Sequence, residues 1–396
     1  MLHSIVIENF LSISERQELA FAVPGNAPDL SCFKNPLLDK DLRLPTVIGF
    51  FGPNASGKTT ILAAILVTMG FARYSFDNEI AGRGFQAYRQ KKWLEQPTKI
   101  TIDFDGKLNG AHSVMFRYEL HISHLDMQNK IVLYEALSYA PNGRLRFLFE
   151  RKQQEFYFAD EFEIKKDDPR KNSIRPNASV ISTLVKFNHS LADEIHQQLL
   201  LQVSGFNRIN TESQHEQQEQ EILNIYSKNK DYLEQLNQEL SRLDIGLESM
   251  SVELGPRGLF AKFKHTGLDG FILFGEESAG TRRFVNIFPR IHHALNNGNI
   301  ALIDEIDTDF HPLLLPEIFR WFNSSKRNPH NAQLLFTAHN PSLLDELEKE
   351  QLFFTEKPCG QSTNVYGARD IKGLRREPSL MKKYLSGELG AVPHIG

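Results

Sequence analysis

Gly52-Pro53-Asn54-Ala55-Ser56-Gly57-Lys58-Thr59, followed by Thr60, is the stretch on which the reading of this chain turns. The apolar run Thr46–Phe51 before it is rich in β-forming residues and reads as a buried strand. A helix carrying the apolar run Ile61–Val67 is expected to begin near Lys58. Glycine–x4–glycine–lysine–threonine between a strand and a helix is a phosphate loop. Its glycines let backbone N–H groups curl around phosphate oxygens, and the helix N-terminus adds a partial positive charge. Lys58 suits the β and γ phosphates of ATP, and the Thr59 hydroxyl suits Mg2+. The nucleotide-binding candidates here are Gly52, Asn54, Ser56, Gly57, Lys58, Thr59 and Thr60.

Three downstream stretches complete the constellation. Ile300-Ala301-Leu302-Ile303-Asp304-Glu305 reads as a buried strand delivering two carboxylates at its C-terminal end, where ligands sit in open α/β sheets. Strand residues alternate in direction, so the two acids are expected to have different tasks. Asp304 suits Mg2+, and Glu305 suits polarising the attacking water. Ser278-Ala279-Gly280-Thr281 opens a helix whose apolar stripe is Phe284, Ile287, Phe288, Ile291 and Leu295. Its N-terminus is receptive to anions. Leu334–His339 reads as a buried strand ending in a histidine able to sense the γ phosphate. Glu305, His339 and Lys58 are the catalytic candidates.

Around these stretches, strands are expected at 3–13, 18–23, 99–104, 113–122, 131–139, 144–149 and 155–159, the last five forming an antiparallel segment. Helices are expected at Leu191–Gln202 and, as one rod, at Glu216–Leu243. Strands resume at 247–254, 259–266 and 270–275. Lys165–Arg175 reads as a solvated loop. His121 and His124 fall on opposite faces of a strand, a poor arrangement for metal.

The chain has 396 residues, 41% of them hydrophobic and 24% charged, which suits a folded protein rather than a disordered one. A net charge of −4 gives no overall basic field for nucleic acid or membrane. Two cysteines, Cys32 and Cys359, cannot build a disulfide framework or a four-cysteine zinc site. No apolar run approaches the roughly 20 residues that cross a bilayer. The N-terminal stretch lacks a signal-peptide pattern, so a cytoplasmic location is expected.

The order phosphate loop, Ser-x-Gly-Thr helix, apolar-Asp-Glu, apolar-His resembles the ATPase heads of the ABC superclass, nearer the SMC and recombination branch than transporter subunits. Ile7-Glu8-Asn9-Phe10-Leu11-Ser12 and Glu305–Pro312 are similar to stretches of these heads, and Tyr384–Pro393 resembles the tail of one bacterial group. That group is the stand-alone ABC-type AAA ATPases of abortive-infection and anti-phage operons. The resemblance implies an α/β P-loop head with a mixed sheet, an inserted antiparallel β segment and a helical lobe. The expected division is 1–97 with the phosphate loop, 98–160 rich in strands, 161–246 as the helical insertion, and 247–396 with the remaining motifs.

It further implies a homodimer closed around two ATP molecules, with higher assembly possible. Ser278 and Gly280 of one subunit would cap the γ phosphate bound by the other, Asp307 would lie at the seam, and His339 would be the switch. Gln86 is the candidate for the nucleotide-site glutamine these heads carry after the early strands. Leu11 stands where such heads commonly carry arginine. The function implied is a switch in phage defence controlling a separate nuclease-like effector. The alternative is a DNA-repair or recombination ATPase acting directly on DNA.

Overall fold

The structure, a computed structural model, describes residues 1–37, 41–78, 80–110, 113–125, 130–205, 212–243, 246–256, 258–310, 313–358, 361–375 and 379–392. Two sheets divide the work. Seven antiparallel strands form the first, in the spatial order Glu155–Phe158, Arg146–Lys152, Val132–Ala140, Ser113–Ile122, Thr98–Lys107, Leu2–Glu8 and Gln17–Ala20. The strand-rich segment at 98–160 therefore continues the sheet that the N-terminal strands begin: Ile5 faces Ile102 and Ile7 faces Ile100 across the joint.

Six strands form the second sheet, in the order Leu201–Ser204, Ile300–Ile303, Gln333–Thr337, Val47–Phe51, Leu352–Glu356 and Asn364–Gly367. The first five run parallel and the last antiparallel. Alternate side chains of Val47–Phe51 enter different cores. Ile48 and Phe50 join the one shared with the seven-stranded sheet, while Val47 and Phe51 join the one under helix Ala279–Asn297. Each such side chain contributes about 1.5–3 kcal/mol when fully buried. Helix Lys58–Tyr74 is buried around most of its circumference, including Ile61, Leu62, Ala64, Ile65, Met69 and Phe71. It is thereby held rigidly where the phosphate loop ends.

Two expected helices are corrected. The segment read as Leu191–Gln202 is helical only over Ser190–Gln198, and Leu201–Ser204 is a strand paired in parallel with Ile300–Ile303. The segment at 161–246 thus returns to the central sheet partway through. The single rod Glu216–Leu243 is two helices, Glu212–Lys228 and Lys230–Leu243. Asn229 interrupts them, its amide donating to the Ile225 carbonyl at 2.8 Å. Ile222, Leu223 and Tyr226 from the first helix and Leu236 and Leu240 from the second enter the same core. The 3/4 spacing is blind to this one-residue break.

A three-stranded sheet, Leu247–Gly255, Gly258–His265 and Ile272–Leu273, leads into the helix behind Ser278. Within Lys165–Arg175, Pro169–Ser173 forms a 3-10 turn and Ile174 is buried. Cys359, His311, Pro312 and Pro393 lie outside the described residues.

Candidate functional site

The parallel register brings the C-terminal ends of Val47–Phe51, Ile300–Ile303 and Gln333–Thr337 to one edge. The phosphate loop leaves the first of these strands. Gly57 has a φ of 106°, and a Cβ there would stand 2.3 Å from Thr363 Oγ1 and 2.8 Å from Ser12 Oγ. Only glycine fits. Thr363 donates from Oγ1 to the Ser56 carbonyl at 2.8 Å and sits 2.8 Å from the Ser12 hydroxyl. The Ser56 hydroxyl meets Thr355 Oγ1 at 2.6 Å, so the loop is clasped from the Leu352–Gly367 hairpin.

Lys58 is 6% exposed, and its Nζ donates to the carbonyls of Gly52 at 2.8 Å and Pro53 at 3.0 Å. His339 Nδ1 lies 3.5 Å away. Burial pushes the pKa of the Lys58 ammonium down to about 8, against the pull of Asp304, Glu305 and Asp307. A buried ammonium with carbonyl and imidazole partners is matched to a ligand bringing its own negative charge.

Asp304 is buried and accepts hydrogen bonds from Thr59 Oγ1 at 2.9 and 3.0 Å and from Thr337 Oγ1 at 2.6 Å. Hydroxyl and carboxylate oxygens side by side at a helix start are the donor set Mg2+ takes together with substrate phosphates. Thr59 and Asp304 therefore fit that ion, which would neutralise phosphate charge.

Glu305 differs from Asp304 for a reason other than strand alternation. The strand ends at Ile303, and Glu305 takes the left-handed conformation with φ 48°, at about 1–2 kcal/mol. That turn swings its carboxylate outward to 56% exposure, 3.9 Å from His339 Nε2. The His339 imidazole thus stands between Lys58 and Glu305. Asp307 Oδ2 accepts from the backbone N–H groups of His339 at 2.8 Å and Asn340 at 2.6 Å. Within one chain, then, Asp307 clamps the turn that carries His339.

Asn54, Ser56, Gly57, Lys58, Thr59, Thr60, Glu305 and His339 share one cavity of about 630 Å³ with Ser12 and Thr337. Gly52 contributes its carbonyl beneath Lys58. Gln86 lines an adjoining cavity of about 310 Å³ with Thr59, Asp304 and Glu305, and its carbonyl accepts from Leu11 N at 2.8 Å. Ser278 caps helix Ala279–Asn297, its hydroxyl accepting from Thr281 N at 3.1 Å. Neither Ser278 nor Gly280 lines the phosphate-loop cavity of its own chain. His121 pairs with Glu119, whereas His124 is buried against Thr98, and among the described residues no cluster of three metal-ligating side chains forms. Sequence reading missed Thr337 and Thr363. Thr337 lay inside a strand it had quoted, and Thr363 carried no local signal.

A family model described as "AAA domain, putative AbiEii toxin, Type IV TA system" matches residues 47–345. That span contains the phosphate loop, both carboxylates, Ser278 and His339. The chain belongs to this AAA family. Its fold is the P-loop ATPase head of the ABC type, and the family is the abortive-infection one that the motifs resemble. No curated protein matches the chain. A solved structure described as "Structural biochemistry of ATP-driven dimerization and DNA stimulated activation of SMC ATPases" aligns at a TM-score of 0.31 and 16% identity. The alignment covers 44% of this chain and 99% of that one. Among the described residues no helix of this AAA-family chain is long and apolar enough to cross a membrane.

Proposed function

We propose that this AAA-family chain binds ATP with Mg2+ at the phosphate loop and hydrolyses it. Lys58 and the loop N–H groups take the phosphates, and Thr59 and Asp304 hold the metal. Glu305 orients and polarises the attacking water, and His339 senses the γ phosphate beside it. Two heads close around two nucleotides, Ser278 and Gly280 of one protomer facing the γ phosphate held by the other. Asp307 sits near that seam, and Gln86 reports on the metal. Closure and hydrolysis act as a switch on a separate, nuclease-like effector in defence against phage. The segment at 161–246, apart from strand Leu201–Ser204, is the place for recognition of partner or trigger.

One observation supports the hydrolytic core most: buried Lys58, Thr59 and exposed Glu305 line a single cavity, and Thr59 donates from there to the buried Asp304 carboxylate. Two variants test it. Lys58→Ala is expected to abolish nucleotide binding measured by calorimetry, and with it protection of cells against phage. Glu305→Gln is expected to keep ATP binding, lose hydrolysis and accumulate a dimer in light scattering. Wild-type hydrolysis by Glu305→Gln would remove Glu305 from its role. Affinity purification of that trapped form from its native operon tests the effector, and recovery of the chain alone would count against one.

A further inference from the structure

Glu305 is held by the two peptide groups that flank its Cα, and each is gripped from both sides. On the sheet side, Glu305 N donates to Thr337 Oγ1 at 2.7 Å and Ile306 N donates to the Thr337 carbonyl at 3.0 Å. On the opposite side, Arg283 Nη2 lies 3.3 Å from the Asp304 carbonyl and 3.4 Å from the Glu305 carbonyl. The first carbonyl belongs to the peptide preceding Glu305 and the second to the peptide following it. A guanidinium bridging both restrains φ and ψ of that one residue, whose φ of 48° an unrestrained glutamate seldom adopts.

Arg283 reaches this point from the second turn of helix Ala279–Asn297, the helix that Ser278 caps. The same helix touches the acidic turn again at Gly280, where a Cβ would come within 2.9 Å of the Asp309 carbonyl. Burial lowers the pKa of the guanidinium, and the charges of Asp309, Glu305, Asp304 and Asp307 oppose that shift only in part. The Arg283 Nε is buried without a hydrogen-bond partner, and Nη2 makes both carbonyl contacts. No other side chain of the helix is bonded to the backbone of Glu305.

We propose that Arg283 is a positioning residue for Glu305, joining the Ser278 helix to the backbone on both sides of the water-directing carboxylate. Displacement of that helix, as when its N-terminus engages a second nucleotide, moves Arg283 and with it the left-handed turn. The carboxylate is thereby aimed by the element that meets the other protomer. This inference rests on the hydrolytic reading of Glu305.

The test compares Arg283→Gln, Arg283→Lys and Glu305→Gln in the full chain, measuring ATP affinity, kcat and thermal melting for each. Loss of aim at a reacting group lowers kcat while leaving ground-state binding intact, so Arg283→Gln is expected to lose about tenfold to a hundredfold in kcat. Its ATP affinity is expected to stay within about threefold of wild type. Arg283→Lys keeps a positively charged donor on a shorter, differently shaped side chain and is expected to recover part of the rate. Wild-type kcat in Arg283→Gln would overturn the proposal. So would a parallel loss of affinity and kcat, equal in the Gln and Lys variants, which is the mark of a merely structural arginine. If Arg283→Gln fails to fold, Arg283→Met, which keeps an unbranched stem and removes the donor, takes its place, and wild-type kcat there would overturn the proposal. Wild-type hydrolysis by Glu305→Gln would defeat the hydrolytic reading itself. Its loss there, with Arg283→Gln unaffected, would defeat only the link.

Discussion

The Thr59 hydroxyl donates to the Asp304 carboxylate at 2.9 Å, joining residues 245 positions apart. One sits in the first turn of helix Lys58–Tyr74 and the other follows strand Ile300–Ile303. Thr337 approaches the same carboxylate from the neighbouring strand at 2.6 Å. Three segments of the central sheet layer therefore converge on one buried acid. An oxygen-seeking cation and a phosphate would find two ligands already aligned.

Asp304→Asn is expected to preserve this hydroxyl network, because an amide still accepts one hydrogen bond and donates another. It removes the charge a divalent cation needs. Mg2+-dependent hydrolysis should fall at least about a hundredfold. Nucleotide binding in EDTA should remain close to wild type. Fluorescent-nucleotide titrations with and without Mg2+ check both halves, and equal losses in the two titrations would count against a metal role.

Thr363→Val removes the donor that holds the Ser56 carbonyl and the neighbour of the Ser12 hydroxyl. A buried acceptor left unpaired costs about 1–3 kcal/mol. Urea denaturation should report that loss. ATP affinity should weaken severalfold as the loop loosens, and Thr363→Ser should restore both properties.

Asn9 is fully buried at φ 54°. Its Nδ2 donates to the carbonyls of Trp93 at 2.9 Å and Gln96 at 2.7 Å, and its Oδ1 accepts from Tyr88 N at 2.9 Å. Asn9→Ala strands the buried Tyr88 N–H, unpairs the Trp93 and Gln96 carbonyls and leaves alanine in a left-handed conformation, for a combined cost of about 2 kcal/mol or more. The denaturation midpoint should drop accordingly. Because Leu11 N holds the Gln86 carbonyl, protease sensitivity should rise in the 86–97 segment first.

His124 supplies a pH signature. Its Nε2 lies 2.7 Å from Thr98 Oγ1, and Lys130 Nζ donates to Nδ1 at 2.8 Å. Burial, helped by the Lys130 charge, lowers its pKa to about 4. Between pH 4 and the unfolded value near 6.5, the unfolded chain holds a proton that the folded chain lacks. Stability contributed here is therefore complete above about 6.5 and declines as pH falls, by at most about 1.4 kcal/mol per unit. His124→Gln should show a smaller fall in melting temperature from pH 7 to pH 5 than wild type.

Local pattern made much of this molecule legible. Strand Ser113–Ile122 and the start of the helix at Lys58 lie where alternation and the glycine loop put them. Leu201–Ser204 was not legible, because four residues show too little alternation to distinguish a strand from the tail of a helix. Its identity comes from pairing with Ile300–Ile303. The interruption at Asn229 was equally hidden, since residues on both sides keep helical spacing.

The phosphate loop and its flanking strand and helix follow from residues adjacent in the chain. Glycines that permit a tight turn, an apolar run before it and a lysine after it suffice to specify that geometry locally. The contrast between Asp304 and Glu305 needed the folded chain. One is buried between two threonines, and the other is turned outward by a left-handed backbone that Thr337 and Arg283 hold. So did the burial that moves Lys58 and the clasp that Thr363 closes. Those properties are set by distances between segments far apart in sequence, and solvent exclusion and hydrogen-bond geometry exist only once the sheets have brought those segments together.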